Sequence, residues 1–181
     1  MNAFNFLIDT LFDLYIMVIL LRVWLQLARA DFYNPFSQFV VKATQPVVGP
    51  LRRFIPAIGS LDTATVVFAI AVAALKVIVL TLMLNAGIDL LVIGISSVII
   101  VITSAFKMLT WVLIIRAILS WVSQGHNPIE AVMIQLTEPL LRPIRNRLPS
   151  MGGLDLSMVV VILGIQFLEI LFRDFISKFL G

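Results

Sequence analysis

Two stretches of this chain, residues 34–62 and 127–155, are copies of one another at a constant offset of 93 residues. The first copy contains Asn34, Pro35, Thr44, Pro46, Pro50, Arg52, Pro56, Gly59, Leu61 and Asp62. The second copy contains, in the same order and without a gap, Asn127, Pro128, Thr137, Pro139, Pro143, Arg145, Pro149, Gly152, Leu154 and Asp155. Long apolar segments flank each copy, so the repeating unit is predicted to be a pair of membrane spans joined by a structured loop. We therefore expect two repeats, residues 1–86 and 87–181.

The composition restricts the chemistry that the chain can perform. Apolar side chains make up 61% of the 181 residues and charged ones 13%, which is typical of a membrane protein. The chain has no cysteine and one histidine, which excludes thiolate nucleophiles, disulfides, haem attachment through cysteine and multi-histidine metal sites. We expect no metal and no cofactor. The net charge of +3 is modest and its basic residues cluster in the copied loops, so no direct nucleic-acid partner is expected.

One set of residues could supply a nucleophile, a base and an orienting group: Ser120, Ser123, His126 and Asp155. Nothing in their spacing indicates that they converge. The sequence also has no strained nucleophile turn and no Gly-rich phosphate loop. We therefore expect a protein that is not an enzyme and has no catalytic residue.

Four segments are long and apolar enough to cross a hydrocarbon core about 30 Å thick, namely residues 5–28, 63–84, 90–121 and 156–179. The two copied loops and the approach to the first contain seven basic residues, namely Arg29, Lys42, Arg52, Arg53, Arg142, Arg145 and Arg147, whereas the turn near Asn85 has none. Since basic residues near span ends tend to stay in the cytoplasm, both loops are predicted to be cytoplasmic and both termini outside. The predicted fold class is an all-α membrane protein with four transmembrane helices. Its two hairpins are related by a pseudo-two-fold axis along the membrane normal.

Each copied loop is predicted to begin with an amphipathic helix. Asn34 and Asn127 are good N-cap residues, and Pro35 and Pro128 suit the first helical position. Apolar residues recur on one face, at Phe36, Phe39, Val40, Ala43 and Val47 in the first copy and at Ile129, Val132, Met133, Leu136 and Leu140 in the second. This pattern is typical of a helix that lies in the membrane interface.

The remainder of each loop is predicted to be irregular but ordered. Prolines from Pro46 and from Pro139 onward are expected to break the helix into short pieces. Gly59 and Gly152 then allow a turn. Because the prolines restrict the backbone angles, we expect this part of each loop to be an ordered structure and not a flexible linker.

Charged residues of the loops have predicted partners. Asp62 and Asp155 stand where the next span begins, so we expect them to cap its free amides. Arg52 and Arg145 lie at the height of lipid phosphates, so their expected partner is the anionic headgroup of a membrane lipid. Arginines near the cytoplasmic ends of the first and third spans, Arg22 and Arg116, are expected to extend to the headgroups in the same way.

The duplicated order Asn-Pro, Thr-x-Pro, Pro-x-Arg, Pro, Gly and Leu-Asp resembles the YGGT family of small bacterial integral membrane proteins. The runs at residues 31–39 and 120–125 are similar to its proteobacterial members in particular. The resemblance implies an inner-membrane protein linked to osmotic tolerance, cation balance and the cell-division neighbourhood. In plastid relatives it implies links to nucleoid distribution and to haem attachment during assembly of the cytochrome b-f complex. None of these is an established catalytic reaction, so the resemblance implies a membrane scaffold or assembly factor.

The repeat extends into the spans and pairs four charged residues. Asp13 of the first span corresponds to Lys107 of the third, and Lys76 of the second corresponds to Glu169 of the fourth. At 1.5 Å per helical residue, all four lie about 21 Å from the cytoplasmic ends of their spans. Charged side chains cost about 2.5–3.5 kcal/mol each in the bilayer on insertion scales. We therefore expect the four to form one neutral buried cluster that fixes how the hairpins dock.

Two functions remain open from the sequence. One is a scaffold or assembly factor that presents the loops to a protein partner or to a second copy and supports osmotic or envelope homeostasis. The alternative is a small cation channel or transporter component, in which the charged layer and Asp9, one turn further out, form part of an ion or proton route. The balance of charge argues against a strong cation site, because each acid has a base at its own depth.

Overall fold

The computed structural model describes residues 3–85, 87–122, 127–147 and 155–180, and within these ranges all regular structure is helical. Six helices follow one another along the chain: α1 (Ala3–Leu27), α2 (Pro35–Leu51), α3 (Thr63–Met83), α4 (Leu90–Val122), α5 (Pro128–Arg145) and α6 (Leu156–Leu180). The order long, short, long occurs twice, as the duplicated sequence predicts.

The four long helices lie within two residues of the predicted spans. Three of them, α3, α4 and α6, are long and apolar enough to cross a membrane. Helix α1 has 25 residues and carries Asp9, Asp13 and Arg22 along its length. The all-helical, membrane-like fold is therefore confirmed, and the crossing by α1 stays a prediction.

The long helices pack as two hairpins, α1 with α3 and α4 with α6, and the hairpins meet through α1, α3 and α4. Ala69 and Ala73, one turn apart on α3, are fully buried, and small residues at this spacing let two helix backbones approach closely. Beside them the ring of Tyr15 stands edge-on to Phe68, with 6.0 Å between the ring centroids. Van der Waals packing of this kind is the main attraction between helices in lipid, so these residues fix the α1–α3 contact.

The short helices α2 and α5 pack across the ends of the long ones and against each other. The buried stripe of α2 consists of Ser37, Val40, Thr44 and Val48, and that of α5 consists of Val132, Met133, Leu136, Thr137 and Leu141. Phe39 and Val47, which belong to the predicted apolar face of α2, remain exposed. The first loop helix thus has a face buried in the protein and a separate exposed apolar side, and its position in the membrane interface stays a prediction.

The predicted breaks at Pro46 and Pro139 are wrong, because both short helices continue through these prolines. Each is followed four residues later by a second proline, Pro50 or Pro143, and all four side chains are exposed. A proline removes a donor for the carbonyl four residues earlier, which lies on the same side of the helix. The carbonyls that lose their partner therefore face outward, where water or headgroups can hydrogen-bond to them, and the helix persists.

The segment between α2 and α3 is irregular and ordered, as predicted. Gly59 has a φ of +61°, which is the left-handed region that favours glycine. Ile58 and Leu61 exchange backbone hydrogen bonds of 3.1 Å across this turn. The corresponding turn of the second copy, with Pro149 and Gly152, lies outside the described residues.

Candidate functional site

The two copied loops dock onto one another at one end of the helical bundle. Among the described residues, three hydrogen bonds join the first repeat to α5. They run from Asn34 Nδ2 to the Pro128 carbonyl (2.7 Å), from the Asp31 amide to Gln135 Oε1 (2.8 Å) and from Trp24 Nε1 to the Leu136 carbonyl (3.0 Å). We call α2, residues 52–62 and α5 together the loop platform.

The predicted N-caps of the platform helices are confirmed. Asn34 Oδ1 accepts a hydrogen bond from the Phe36 amide at 3.0 Å, and Asn127 Oδ1 accepts one from the Ile129 amide at 2.9 Å. A capping asparagine satisfies one of the amides that the first helical turn leaves free. The amide group of Asn34 also bonds to the other repeat, so this residue both starts α2 and ties the two loops together.

Arg22 and Arg116 do not extend to the headgroups, and the prediction that they do is wrong. Arg22 is 3% exposed and donates to Thr44 Oγ1 at 2.7 Å and to Gln45 Oε1 at 2.6 Å. Arg116 is also buried and donates to Thr137 Oγ1. The short helices cover the ends of α1 and α4 and supply hydroxyl acceptors there, so each guanidinium is satisfied inside the protein. Each repeat therefore contains the same buried arginine–threonine contact.

Arg52 and Arg145 each bind an aspartate ten residues further along the chain. Arg52 Nη2 lies 2.5 Å from Asp62 Oδ2, and Arg145 Nη2 lies 2.6 Å from Asp155 Oδ2. Repetition of this ion pair shows that it belongs to the duplicated unit. Both arginines keep part of their side chain exposed, and the predicted contact with an anionic headgroup stays a prediction.

The two aspartates differ in their capping role. Asp155 Oδ1 accepts a hydrogen bond from the Ser157 amide at 3.1 Å, so its predicted cap of α6 is confirmed. Asp62 makes no side-chain cap to α3, and that prediction is wrong. Its Oδ2 atom is instead taken by Arg52 and by the hydroxyl of Thr65, which outcompete the free amides.

The electrostatics of the two copied loops favour ionised carboxylates. Burial acts to raise the pKa of Asp62, but hydrogen bonds from Arg52 and Thr65 outweigh it and hold that pKa below its ordinary value. The pKa of Asp155 is lowered in the same way, with burial opposed by hydrogen bonds from Ser157 and Arg145. Hydrogen bonding to Asp155 in turn raises the pKa of Arg145. Both ion pairs are therefore charged at neutral pH.

One substitution between the copies changes the charge of this site. Glu138 in the second copy contacts two arginines, with 3.4 Å to Arg116 Nη2 and 3.0 Å to Arg145 Nη1. The corresponding residue of the first copy is Gln45, which is neutral and bonds to Arg22 alone among the arginines of the described chain. Two arginines face two carboxylates in the second repeat, whereas two arginines face one carboxylate in the first.

A cavity of about 640 Å³ lies at this place in the first repeat. Its polar lining comes from Arg22, Gln26, Gln45, Arg52 and Asp62, and the remaining lining is apolar. The sequence did not predict this cavity, because it forms only where the end of α1 meets α2 and the segment after it. In the sequence, the duplicated arginines were the one feature that pointed to a site at this place.

The predicted charged layer is assembled only in part. Lys76 on α3 is 6% exposed, and its Nζ atom lies 2.5 Å from Asp13 Oδ1 and 2.9 Å from Asp9 Oδ1 on α1. The structure thus brings Asp13 and Lys76 together across the first hairpin. The contact with Asp9 was not predicted, although its spacing of one helical turn from Asp13 places the two acids on one face.

Lys107 and Glu169 do not join that pair. Glu169 is buried and binds Arg173, one turn further along α6, and in the described part of the chain no carboxylate lies within ion-pair distance of Lys107. Lys107 is exposed and borders a cavity of about 200 Å³ that Asp13 also lines. The prediction that Asp13, Lys76, Lys107 and Glu169 form a single cluster is therefore wrong. Glu169 finds its base at the i+4 position of its own helix, which costs less ordering than a partner on another helix.

The CCB3/YggT family matches this chain twice, over residues 1–83 and 95–176. A protein of Vibrio alginolyticus named "Uncharacterized protein in proC 3'region" is 58% identical over 98% of this chain and 97% of its own length. "Uncharacterized protein YggT" of Escherichia coli K12 is 51% identical over 90% of this chain and 85% of its own length. An uncharacterised protein of Pseudomonas aeruginosa is 40% identical over 99% of this chain and 93% of its own length. No solved structure matches the chain.

Proposed function

This chain belongs to the CCB3/YggT family, and from that premise we propose that it is a non-enzymatic membrane scaffold or assembly factor linked to osmotic and envelope homeostasis. It lies in the inner membrane as a bundle of four spans, with the loop platform in the cytoplasm and both termini outside. The osmotic and envelope role is supported by the family resemblance, and the scaffold role is supported by the geometry of the platform.

The observation that carries the scaffold role is the docking of the two loops. Hydrogen bonds cross between the repeats, and each loop is held by its own buried arginine and by its own ion pair. A surface whose backbone is fixed in this way loses little conformational entropy when a partner binds. Preorganisation is what a presenting scaffold requires.

Exposed apolar side chains on and beside the platform offer contacts for a partner. Tyr33 is 88% exposed and Phe54 is 83% exposed, and Ile58 at the turn is also exposed. Large aromatic residues are enriched where proteins bind one another, because they bury much area with few rotatable bonds. A protein partner that covers Tyr33 and Phe54 would use both the start of α2 and the segment that follows it.

The second candidate function is a small cation channel or transporter component, and one observation favours it. Asp13 lines a cavity of about 200 Å³ together with Thr10 and Ser104, and Asp9 lines another of about 290 Å³. Against this, Lys76 lies within 2.9 Å of both acids and neutralises much of the charge that a cation would need. The scaffold is therefore the proposal that we prefer.

Two measurements separate these functions. A strain that lacks the gene is complemented under hyperosmotic stress with Tyr33→Ala plus Phe54→Ala, and with Phe4→Ala as a matched exposed aromatic at the other end of α1. The scaffold role predicts loss of complementation by the platform variant alone, at unchanged abundance. Purified protein in liposomes should then pass no K⁺, Na⁺ or H⁺. A flux that disappears in Asp13→Asn would contradict the scaffold and support the channel.

A further inference from the structure

The cavity of the first repeat has the charge of an anion site. It is lined by two guanidinium groups, Arg22 and Arg52, and by a single carboxylate, Asp62. Gln45 and Gln26 add neutral amides that can donate hydrogen bonds. The lining therefore carries one net positive charge in a partly buried space, where electrostatic attraction is weakly screened.

The second repeat indicates what this charge is suited to hold. Glu138 occupies the position of Gln45 and places a carboxylate between Arg116 and Arg145, at 3.4 Å and 3.0 Å from their nitrogens. In the second repeat, therefore, the two equivalent arginines already hold an oxyanion between them. In the first repeat the amide of Gln45 accepts from Arg22 at 2.6 Å but brings no charge. In the second repeat the carboxylate of Glu138 supplies the negative charge between the two arginines. The first repeat has no side chain that supplies a negative charge at the corresponding position, Gln45.

Asp62 adds a second requirement. Its side chain is 2% exposed and lines the cavity, and its Oδ1 atom is buried without a hydrogen-bond partner among the described residues. A buried acceptor without a donor is costly, so a ligand that places a hydroxyl or ammonium group there is favoured over one that offers only acceptors. A hydrogen phosphate carries such a hydroxyl itself, and a lipid phosphodiester can carry a hydroxyl or ammonium group in its headgroup.

We propose that the cavity of the first repeat binds a phosphate-type oxyanion, held by Arg22 and Arg52, with the donor group of the ligand directed to Asp62. Guanidinium groups match the geometry of phosphate oxygens well. The N–H groups available to the ligand are those that Arg22 does not direct to Thr44 and Gln45 and that Arg52 does not direct to Asp62. This assignment uses the proposed function only for the placement of the platform beside the cytoplasmic leaflet, where phosphate groups are available both on lipids and in solution.

The test exchanges one residue between the repeats. Gln45→Glu places in the first cavity the carboxylate that the second repeat already has, at nearly constant volume, and should weaken binding of the oxyanion at least tenfold. Glu138→Gln is the matched control in the other repeat and should leave binding at the first site unchanged. Thermal unfolding of each purified variant without ligand verifies that both remain folded.

Two binding measurements identify the source of the phosphate. Inorganic phosphate is titrated against the detergent-solubilised protein by calorimetry, and retention of phosphatidylglycerol, phosphatidylethanolamine and a synthetic lipid without a phosphate group is compared by native mass spectrometry. Binding of inorganic phosphate that Gln45→Glu removes supports a soluble ligand. Retention of phospholipid alone, again lost in Gln45→Glu, supports a headgroup. If neither binds, or if Gln45→Glu and Glu138→Gln bind alike, the assignment is overturned. Complementation and ion flux are separate readouts, so a failed scaffold role leaves this result intact.

Discussion

The two repeats of this protein keep the same helix contacts and differ in their charges. Arg22–Thr44 and Arg116–Thr137 are equivalent buried pairs, formed where a short helix crosses the end of a long one. Beside them, neutral Gln45 corresponds to acidic Glu138. The comparison indicates that the duplicated fold depends on the arginine–threonine contacts and on the ion pairs of Arg52 and Arg145 with their aspartates, whereas the charge at Gln45 and Glu138 differs between the repeats.

The spans show the same divergence. In the first repeat Lys76 binds Asp9 and Asp13 on another helix and so ties α3 to α1. In the second repeat Glu169 binds Arg173 on its own helix, and among the described residues it forms no ion pair with another helix. An ion pair between helices constrains their packing, and an ion pair within one helix does not. The first hairpin should therefore depend on the charges of its long helices more than the second.

The largest expected effect comes from breaking the interhelical pair. Lys76→Met leaves Asp9 and Asp13 without their base and should destabilise the protein by about 3–5 kcal/mol, as expected when one partner of a buried pair is lost. Glu169→Gln should cost below about 1 kcal/mol, because its partner is exposed and lies in the same helix. Unfolding in detergent, followed by circular dichroism, measures both values.

Lys107→Met serves as the control for loss of a lysine in a long helix. Lys107 is exposed and has no carboxylate partner in the described chain, so its removal should change stability little. Equal losses for Lys76→Met and Glu169→Gln would remove the distinction between the two hairpins.

An intermediate effect, equal in the two repeats, is expected from the buried threonines. Thr44→Val and Thr137→Val keep the side-chain volume but remove the acceptor of a buried arginine, which should cost about 1–3 kcal/mol in each case. The same unfolding assay measures the two variants side by side. A large cost in one repeat with none in the other would show that the arginine–threonine contact is not the shared element of the fold.

The smallest effect is expected in the acid response. Hydrogen bonds from Arg52 and Arg145 help to keep the pKa values of Asp62 and Asp155 below the ordinary 3.8, so each carboxyl binds protons more weakly when folded than when unfolded. Each therefore stabilises the fold above pH 3.8, and this contribution is lost as the pH falls through the folded pKa.

Asp62→Asn or Asp155→Asn should lower stability at neutral pH and make the loss of stability below pH 3.8 shallower. Chemical denaturation between pH 2 and pH 7 measures this slope for each variant. Unchanged slopes in both would mean that neither carboxyl is bound more tightly to its arginine in the folded state.

The sequence predicted the elements of this fold better than the contacts between them. Apolar length determines the four long helices locally, so their bounds could be predicted to within two residues, and the caps Asn34 and Asn127 determine where α2 and α5 begin. The outcome at Pro46 depended on which side of α2 faces outward, and the outcome at Arg22 depended on a helix that crosses above it. Tertiary packing decides the outcome at Pro46 and at Arg22, and a local sequence pattern does not contain information about that packing.

The site shows the same limit. Duplication identified Arg52 and Arg145 as important but could not show that each binds an aspartate ten residues away. Depth alone placed Glu169 and Lys107 in one layer, yet depth does not fix the direction in which a helix turns its side chains. Arg173, one turn from Glu169, offered a nearer partner that the spacing of the sequence already contained.

Direct docking of the two copied loops requires that both lie on the same aqueous side of the membrane. The chain has no native cysteine, so Asp31→Cys and Gln135→Cys can be introduced together, at positions joined by a 2.8 Å hydrogen bond from the Asp31 amide. In native membranes a short bis-maleimide should crosslink this pair within one chain, and it should not crosslink Asp31→Cys with Leu84→Cys at the far end of the bundle. Failure of the 31–135 pair to crosslink, with the two cysteines labelled from opposite faces of the membrane, would contradict the account.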